Sequence, residues 1–234
     1  MRMFNIQFVN SGVFLEKAQA LRHKVFFKDA GRDEDRFDKF CHHIVATEKN
    51  SQSVVGTYRL LLGSVARKHS GFYSETEFDL SNIKKHCEGE LLELGRSCVD
   101  PEYRRYPILA LMWREIILFM AEKNVQYTFG CASIEDPRPH KIAEIFSWLK
   151  THHYSPPIYR VTPLPEKSYP YKAGLKHCSN EEALHLLPSL IKGYLRMGAV
   201  LCGEPMWDQD FNTADFFLLL ENKKMSTTYK KRFL

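Results

Sequence analysis

Residues 91–101 read Leu-Leu-Glu-Leu-Gly-Arg-Ser-Cys-Val-Asp-Pro, an apolar strand that encloses a carboxylate, Glu93, and a guanidinium, Arg96. Desolvating such a pair is costly, so charges inside a strand point to a place where a proton is moved or an anion is held. In a regular strand Glu93, Gly95 and Ser97 face one way and Leu94, Arg96 and Cys98 the other. One extra residue at a bulge, for which Gly95 is the natural place, brings Glu93 and Arg96 to one side. Burial raises the proton affinity of Glu93 and suits it to take a proton from an amine. The competing reading of this carboxylate is a structural ion pair with Arg96 or Arg59. Backbone N–H groups freed near Cys98 and Val99 would polarise a carbonyl oxygen. Ser97 and Cys98 lack a motif-linked base, so a covalent route is not expected.

Other residues suit the same chemistry. Arg22 and Arg59 can grip a carboxylate through paired hydrogen bonds, and Asp35 and Asp38 can hold amines. On composition alone the charged run at 31–38 is equally a solvated loop. Phe26, Trp113 and Phe146 would line an apolar tunnel, or be simple core at helical spacing. After the strand come a proline turn, Arg104-Arg105, and Ile108, Leu111, Met112, Ile116 and Phe119 at helical spacing. Strand, basic turn and helix together form the layout of a phosphate-holding crossover.

The elements that must position these residues follow from periodicity. A strand is expected over 4–9, a helix over 13–28, and a hairpin from strands 43–48 and 54–62 around the polar turn 49–52. Asp79 or Ser81 can cap a short helix. The central strand and its helix precede a strand over 126–134 and a helix over 140–150. Residues 151–180, rich in Pro, Tyr and Lys in their first part, read as a long surface excursion. Helical spacing returns over 181–197, broken at Pro188, and strands over 200–203 and 214–221 close the chain. The fold class is therefore α/β: a mixed, mostly antiparallel twisted sheet with helices on both faces, in one domain over 1–234. A crossover between parallel strands at its middle would leave a crevice for ligands.

The bulk properties narrow the function. No apolar run approaches the roughly 20 residues that span a bilayer, and no signal peptide is read at the N-terminus. A cytoplasmic protein is expected. Six cysteines at 41, 87, 98, 131, 178 and 202 contain no C-x-x-C pair, which speaks against a zinc ribbon or a disulfide framework. Cys41-His42-His43 alternates on a strand and cannot close on one ion; no metal is expected, and His42, His43, His152 and His153 read as structural or surface residues. The balance of 33 basic and 28 acidic residues is too even for a nucleic-acid face. Basic residues nevertheless cluster at 84–85, at 104–105 and as Lys223, Lys224, Lys230, Lys231 and Arg232, a pattern suited to an acidic partner or an anionic membrane.

Six ordered motifs carry a resemblance. They are Leu21-Arg22-His23-Lys24-Val25-Phe26, Asp35-Arg36-Phe37-Asp38-x-x-Cys41-x-His43, Val55-Gly56-Thr57-Tyr58-Arg59-Leu60-Leu61, Glu77-Phe78-Asp79-Leu80, Glu93-Leu94-Gly95-Arg96-Ser97-Cys98-Val99 and Asp208-x-x-Phe211-Asn212-x-x-Asp215-Phe216. Together they resemble the ornithine acyl-carrier-protein N-acyltransferases of the GNAT-like superfamily, and the pattern Arg22, Phe26, Asp35, Asp38, Arg59, Glu93, Arg96 is similar to that of acyl-homoserine lactone synthases. The resemblance implies catalytic roles for Glu93 and Arg96, and substrate contacts at Arg22, Phe26, Asp35, Asp38, Arg59, Cys98 and Val99. It implies a 3-hydroxyacyl donor on the phosphopantetheine of acyl carrier protein, ornithine as acceptor, no permanently bound cofactor, and the first step of ornithine-lipid synthesis. Glycine, lysine or tyrosine as acceptor, or a non-catalytic acyl or membrane binder, are the alternatives. Coenzyme A users of the superfamily hold the pyrophosphate on a glycine-rich turn, where Pro107 and Leu109 stand in this chain; proline lacks the N–H and leucine blocks close approach. Arg104 and Arg105 are then placed for a carrier phosphate or an acidic carrier surface. The basic C-terminal cluster would hold the enzyme at the inner membrane.

Overall fold

The computed structural model describes residues 3–170, 182 and 185–226. In chain order the elements are β1 (Phe4–Val9), α1 (Val13–Phe27), β2 (His42–Glu48), β3 (Val54–Leu62), α2 (Gly63–Ala66), β4 (Phe78–Asp79), α3 (Ser81–His86) and β5 (Glu90–Val99). They continue with α4 (Ile108–Glu122), β6 (Val125–Ile134), α5 (Pro139–His152), β7 (Thr162–Pro163), α6 (Ser189–Met197), β8 (Val200–Leu201), β9 (Met206–Asp208) and β10 (Thr213–Glu221). The chain gathers into two compact units, one from residues 1–71 and 92–125 and the other from 72–91 and 126–230.

In the first unit β1, β2, β3 and β5 pair antiparallel in that order. All nine residues of β3 are buried, the mark of a strand covered on both faces. On one face Ala18 and Leu21 of α1 pack with Val45, Val54 and Cys98. On the other face α4 comes close because Gly56 has no side chain: a Cβ there would lie 2.8 Å from Ile108 Cγ2 and 3.3 Å from Met112 Cε. Trp113 Nε1 donates to Tyr58 Oη at 3.3 Å, so of the two readings of this indole, tunnel wall or core, it is core with a satisfied donor.

In the second unit β6 and β10 pair antiparallel from Ala214↔Ile134 to Glu221↔Tyr127, and β8 and β9 also pair with β10. Phe146, Ile145 and Leu149 of α5 and Ile191 of α6 pack against Phe216 and Leu218, which makes Phe146 core as well. Two expectations change. Residues 206–208, read as a connector, form β9. Residues 154–169 do not run free over the surface: Ser155 and Val161 donate backbone N–H groups to Leu201 and Cys202, β7 pairs with β4, and Ser155, Val161 and Tyr169 are buried. The prolines break a long strand here, yet the amides between them still find an edge to pair with. Residues 171–180 lie outside the described residues, as do Cys178, Lys230, Lys231 and Arg232. Pro188 stands immediately before α6, and Asp79 Oδ1 accepts the Ser81 N–H at 2.9 Å at the start of α3.

No helix among the described residues is long and apolar enough to cross a membrane. Because Ile108 is fully buried and cannot retreat, Gly56→Ala is expected to lower stability by about 1–3 kcal/mol through overpacking. Urea denaturation checks this, and an unchanged midpoint would contradict the close packing of α4 on β3.

Candidate active site

Arg22 stands on the inner side of α1, and its side chain is 0% exposed. It grips Asp38 with two parallel hydrogen bonds, Nη1 to Oδ1 at 3.1 Å and Nη2 to Oδ2 at 2.7 Å. Its Nε lies 2.8 Å from Asp33 Oδ2, and Nη2 also donates to the Asp33 carbonyl. Gln19, one helical turn earlier, donates to Asp38 Oδ2 at 3.1 Å. From β3, Arg59 Nη1 donates to Asp35 Oδ2 at 2.6 Å and Asp38 Oδ1 at 3.0 Å. From β5, Arg96 Nε lies 3.0 Å from Asp33 Oδ2, and Nη2 donates to Asp35 Oδ2 at 3.3 Å. Three guanidinium groups thus face three carboxylates, and Glu93 is buried nearby.

The loop before β2 is shaped to make this fit. The Asp33 N–H donates to the Gln19 carbonyl, Asp35 Oδ1 accepts the Phe37 N–H at 2.8 Å, and a single 3-10 turn follows over Asp38–Phe40. Phe37 is buried, with the Arg59 guanidinium 5.8 Å from its ring centre. His43 Nε2 lies 2.9 Å from the Asp38 carbonyl, and His42 is turned the other way, its ring 5.1 Å from that of Phe119. The charged run at 31–38 is therefore not a plain solvated loop; Asp33 and Asp38 are buried by pairing with distant arginines.

The electrostatics follow from that pairing. Burial pushes Asp38 up, but the Arg22 hydrogen bonds and the Arg22 and Arg59 charges outweigh it and hold the carboxyl well below the usual range. Asp35 follows the same pattern: burial opposes, and Arg59 and then Arg96 bring the carboxyl down. Burial works against the Arg59 charge, while Asp35 and its neighbours hold the guanidinium firmly protonated. Burial lowers His43 against the pull of Asp38, which keeps it neutral. Burial pushes the thiols of Cys41 and Cys98 up to about 12, so neither is a thiolate near neutral pH.

The bulge lies in β5. Cys98 is in register with Thr57 and Gly95 with Arg59, so Arg96 and Ser97 together oppose Tyr58. Arg96 takes the left-handed conformation with φ 49°, one residue after the glycine at which the bulge is expected. Thr57 and Arg59 lie on one face of β3; by register Glu93, Gly95 and Cys98 share that face, and the ion pairs of Arg96 with Asp33 and Asp35 bring its side chain to the same network. The irregularity comes two residues before Cys98 and Val99, where freed N–H groups were expected, and these two regain pairing with Thr57 and Gly56. Glu93 is buried, and its charge is felt at Cys41. A Cβ built on Gly95 would have nothing within 4 Å, so room is left beside the bulge.

Depth separates the remaining candidates. Arg22 and Arg59 are sealed at 0% and 4% side-chain exposure, whereas Asp35 at 22% and Arg96 at 13% form the solvent-reaching rim. Arg22 hydrogen-bonds through Nη1 and Nη2, and its Nε meets Asp33 as an ion pair only. Phe26 packs partly buried beside Leu21 and Cys98. Arg104 and Arg105 are exposed on the turn after β5, which Asp100 fixes by accepting the Glu102 N–H at 3.0 Å and the Lys24 ammonium at 2.9 Å. Sequence reasoning missed Asp33 and Gln19, whose roles depend on tertiary pairing, while His43, read as a structural or surface residue, is buried against the Asp38 carbonyl. The second unit holds another buried acidic group, Glu77, Asp208 and Asp215, with carboxylate oxygens within 4.8 Å of one another. Asp215 accepts from Thr213 Oγ1 at 2.6 Å and Ser133 Oγ at 3.0 Å.

Two consequences are measurable. The depressed carboxyls of Asp35 and Asp38 contribute stability that is fully present above their unfolded pKa and lost as pH falls through it toward the folded values. The melting temperature should therefore drop on acidification below about pH 4. Asp38→Asn leaves guanidinium charge uncompensated and should cost about 3–5 kcal/mol at neutral pH. It should also flatten the acid limb; a limb parallel to that of the wild type would contradict the network's role.

A family model described as an acetyltransferase (GNAT) domain matches residues 10–114. L-ornithine N(alpha)-acyltransferase of Brucella abortus (strain 2308) is 34% identical, the alignment covering 96% of this chain and 86% of that protein. The enzyme of the same name from Rhizobium meliloti (strain 1021) is 33% identical over 94% of this chain and 80% of its own. Among solved structures, FeeM, an N-acyl amino acid synthase from uncultured soil microbes, superposes with a TM-score of 0.61 at 7% identity, covering 99% of each chain. The acyl-homoserine lactone synthase LasI gives 0.52 at 11% identity over 95% of this chain and 90% of its own. These two share the fold. Identity at this level over nearly the whole chain, with the motif arginines and aspartates joined in one network, establishes that the chain is an acyltransferase of GNAT-like fold and belongs to the L-ornithine N(alpha)-acyltransferase family.

Proposed function

We propose that the chain transfers a 3-hydroxyacyl group from the phosphopantetheine thioester of acyl carrier protein to the α-amine of ornithine, the first step of ornithine-lipid synthesis. The observation that carries this reading is the rim of the buried network: Asp35 and Arg96 reach solvent beside the open space at Gly95, on the face that holds Glu93. Relatives at 33–34% identity named for N(alpha)-acylation of ornithine support the acceptor.

Chemistry at this rim needs a neutral amine, a polarised thioester and a departing thiolate. The acceptor's carboxylate meets Arg96, and Asp35 takes one of its ammonium groups. Glu93 accepts a proton from the α-ammonium directly or through water, the freed amine attacks the thioester carbon, the C–S bond breaks, and the nitrogen's second proton passes to the departing thiolate, which leaves as the thiol. A backbone N–H turned out of the β3 ladder at the bulge over Arg96 and Ser97 polarises the thioester oxygen. Direct transfer agrees with thiols too weakly acidic to act as nucleophiles. Exposed Arg104 and Arg105 suit the donor's phosphate or the acidic carrier surface, and Pro107 at the head of α4 removes a backbone donor that a coenzyme A diphosphate would use. The one-chain product partitions into membrane, and exposed Lys223 and Lys224 belong to the cluster read as contacting an anionic leaflet.

Purified protein given 3-hydroxyacyl carrier protein and mixed amino acids should form acyl-ornithine by mass spectrometry. Glu93→Gln and Arg96→Ala should each lose about 100-fold or more of the rate. Acylation of a different amino acid would replace the acceptor, and preference for acyl-coenzyme A would replace the donor. Gly95→Val should keep the melting temperature, because its side chain enters open space, yet abolish transfer; an active, folded Gly95→Val enzyme would move the site away from the bulge.

A further inference from the structure

Asp33 lies outside the motif residues to which the family resemblance gives roles, yet it joins the buried part of the network to the rim. Its Oδ2 is sealed from solvent and lies 2.8 Å from Arg22 Nε and 3.0 Å from Arg96 Nε, one oxygen held between two guanidinium groups by charge, the N–H groups not being aligned for hydrogen bonds. The residue itself has little freedom. Its N–H is bound to the Gln19 carbonyl, its own carbonyl accepts from Arg22, and its side chain is 8% exposed. Arg96, by contrast, springs from a left-handed position in a bulge, where the regular strand no longer dictates the direction of its side chain. With Nε drawn toward Asp33, Nη2 is turned to Asp35 at the solvent-reaching edge.

We infer that Asp33 is a positioning residue for acyl transfer: anchored on α1, it fixes the Arg96 guanidinium so that the outer edge of Arg96, with Asp35, is preset for the acceptor amino acid. The inference rests on the proposed acceptor-binding rim. Asp33 does not reach the acceptor, so its effect passes through Arg96.

Steady-state kinetics on wild type, Asp33→Asn, Arg96→Ala and the double variant, with acyl carrier protein thioester and ornithine, test this. In Asp33→Asn the acceptor KM should rise about tenfold, the size of one weakened charge-assisted contact. The donor KM should stay within about twofold, and in the Arg96→Ala background Asp33→Asn should add no more than about twofold. Its full effect surviving in that background would overturn the inference and leave the rim intact, because Asp33 would then act through Arg22 alone. An Arg96→Ala enzyme with unchanged acceptor KM would instead remove the rim itself, and the inference with it. If Asp33→Asn does not fold, Asp33→Glu keeps the charge but shifts the shared oxygen; a raised acceptor KM at retained melting temperature is expected, and wild-type kinetics would overturn the inference.

Discussion

The meeting of three guanidinium groups with three carboxylates is the constraint on which the first unit depends. A guanidinium sealed as completely as that of Arg22 is tolerable only when every charge is answered and the donors are used in good geometry. That demand brings together four segments far apart in sequence: α1 with Arg22, the loop with Asp33, Asp35 and Asp38, β3 with Arg59, and β5 with Arg96. Any one of them displaced would strand a buried charge on the others, so the network specifies their arrangement more sharply than apolar packing can. Proximity of opposite charge also keeps the carboxylates ionised despite burial, so the cluster holds its form across the neutral range.

The backbone complements the charges. α4 can lie close on one face of β3 because Gly56 is bare, while the opposite face carries the network and the packing of α1. The bulge in β5 then turns a strand that would alternate its charges into one whose Glu93 and Gly95 share the network's face and whose Arg96 reaches that network. Preorganisation of this kind is what acyl transfer requires, since groups already aimed at the reacting atoms need not be reoriented at the barrier.

How far this was readable from the residues depends on whether the signal is local. β1 and β3 were placed at their observed ends, because apolar alternation bounded by turn residues is a local pattern. The need for a bulge followed from two charges at the wrong spacing for one face, and the glycine beside them marked the place. β9, three residues behind Pro205, was too short to show a period. The segment after α5 was read from its prolines as surface, although the amides between them pair with the second unit's strands. Depth was the least readable property. Nothing in Asp-Glu-Asp-Arg-Phe-Asp at 33–38 says that the first and last acids are buried and Glu34 exposed; only partners in α1, β3 and β5 decide it. For the same reason the complete burial of Arg22 could not be read from its place on α1.

The central claim is that this network meets the acceptor only at its rim. Side-chain NMR of the arginine Nε–Hε groups, followed while ornithine is added, tests it most directly. The account predicts that the Arg96 resonance moves saturably while that of Arg22 stays fixed; an Arg22 resonance that moves as far as that of Arg96, or an Arg96 resonance that stays still at saturating ornithine, would contradict it.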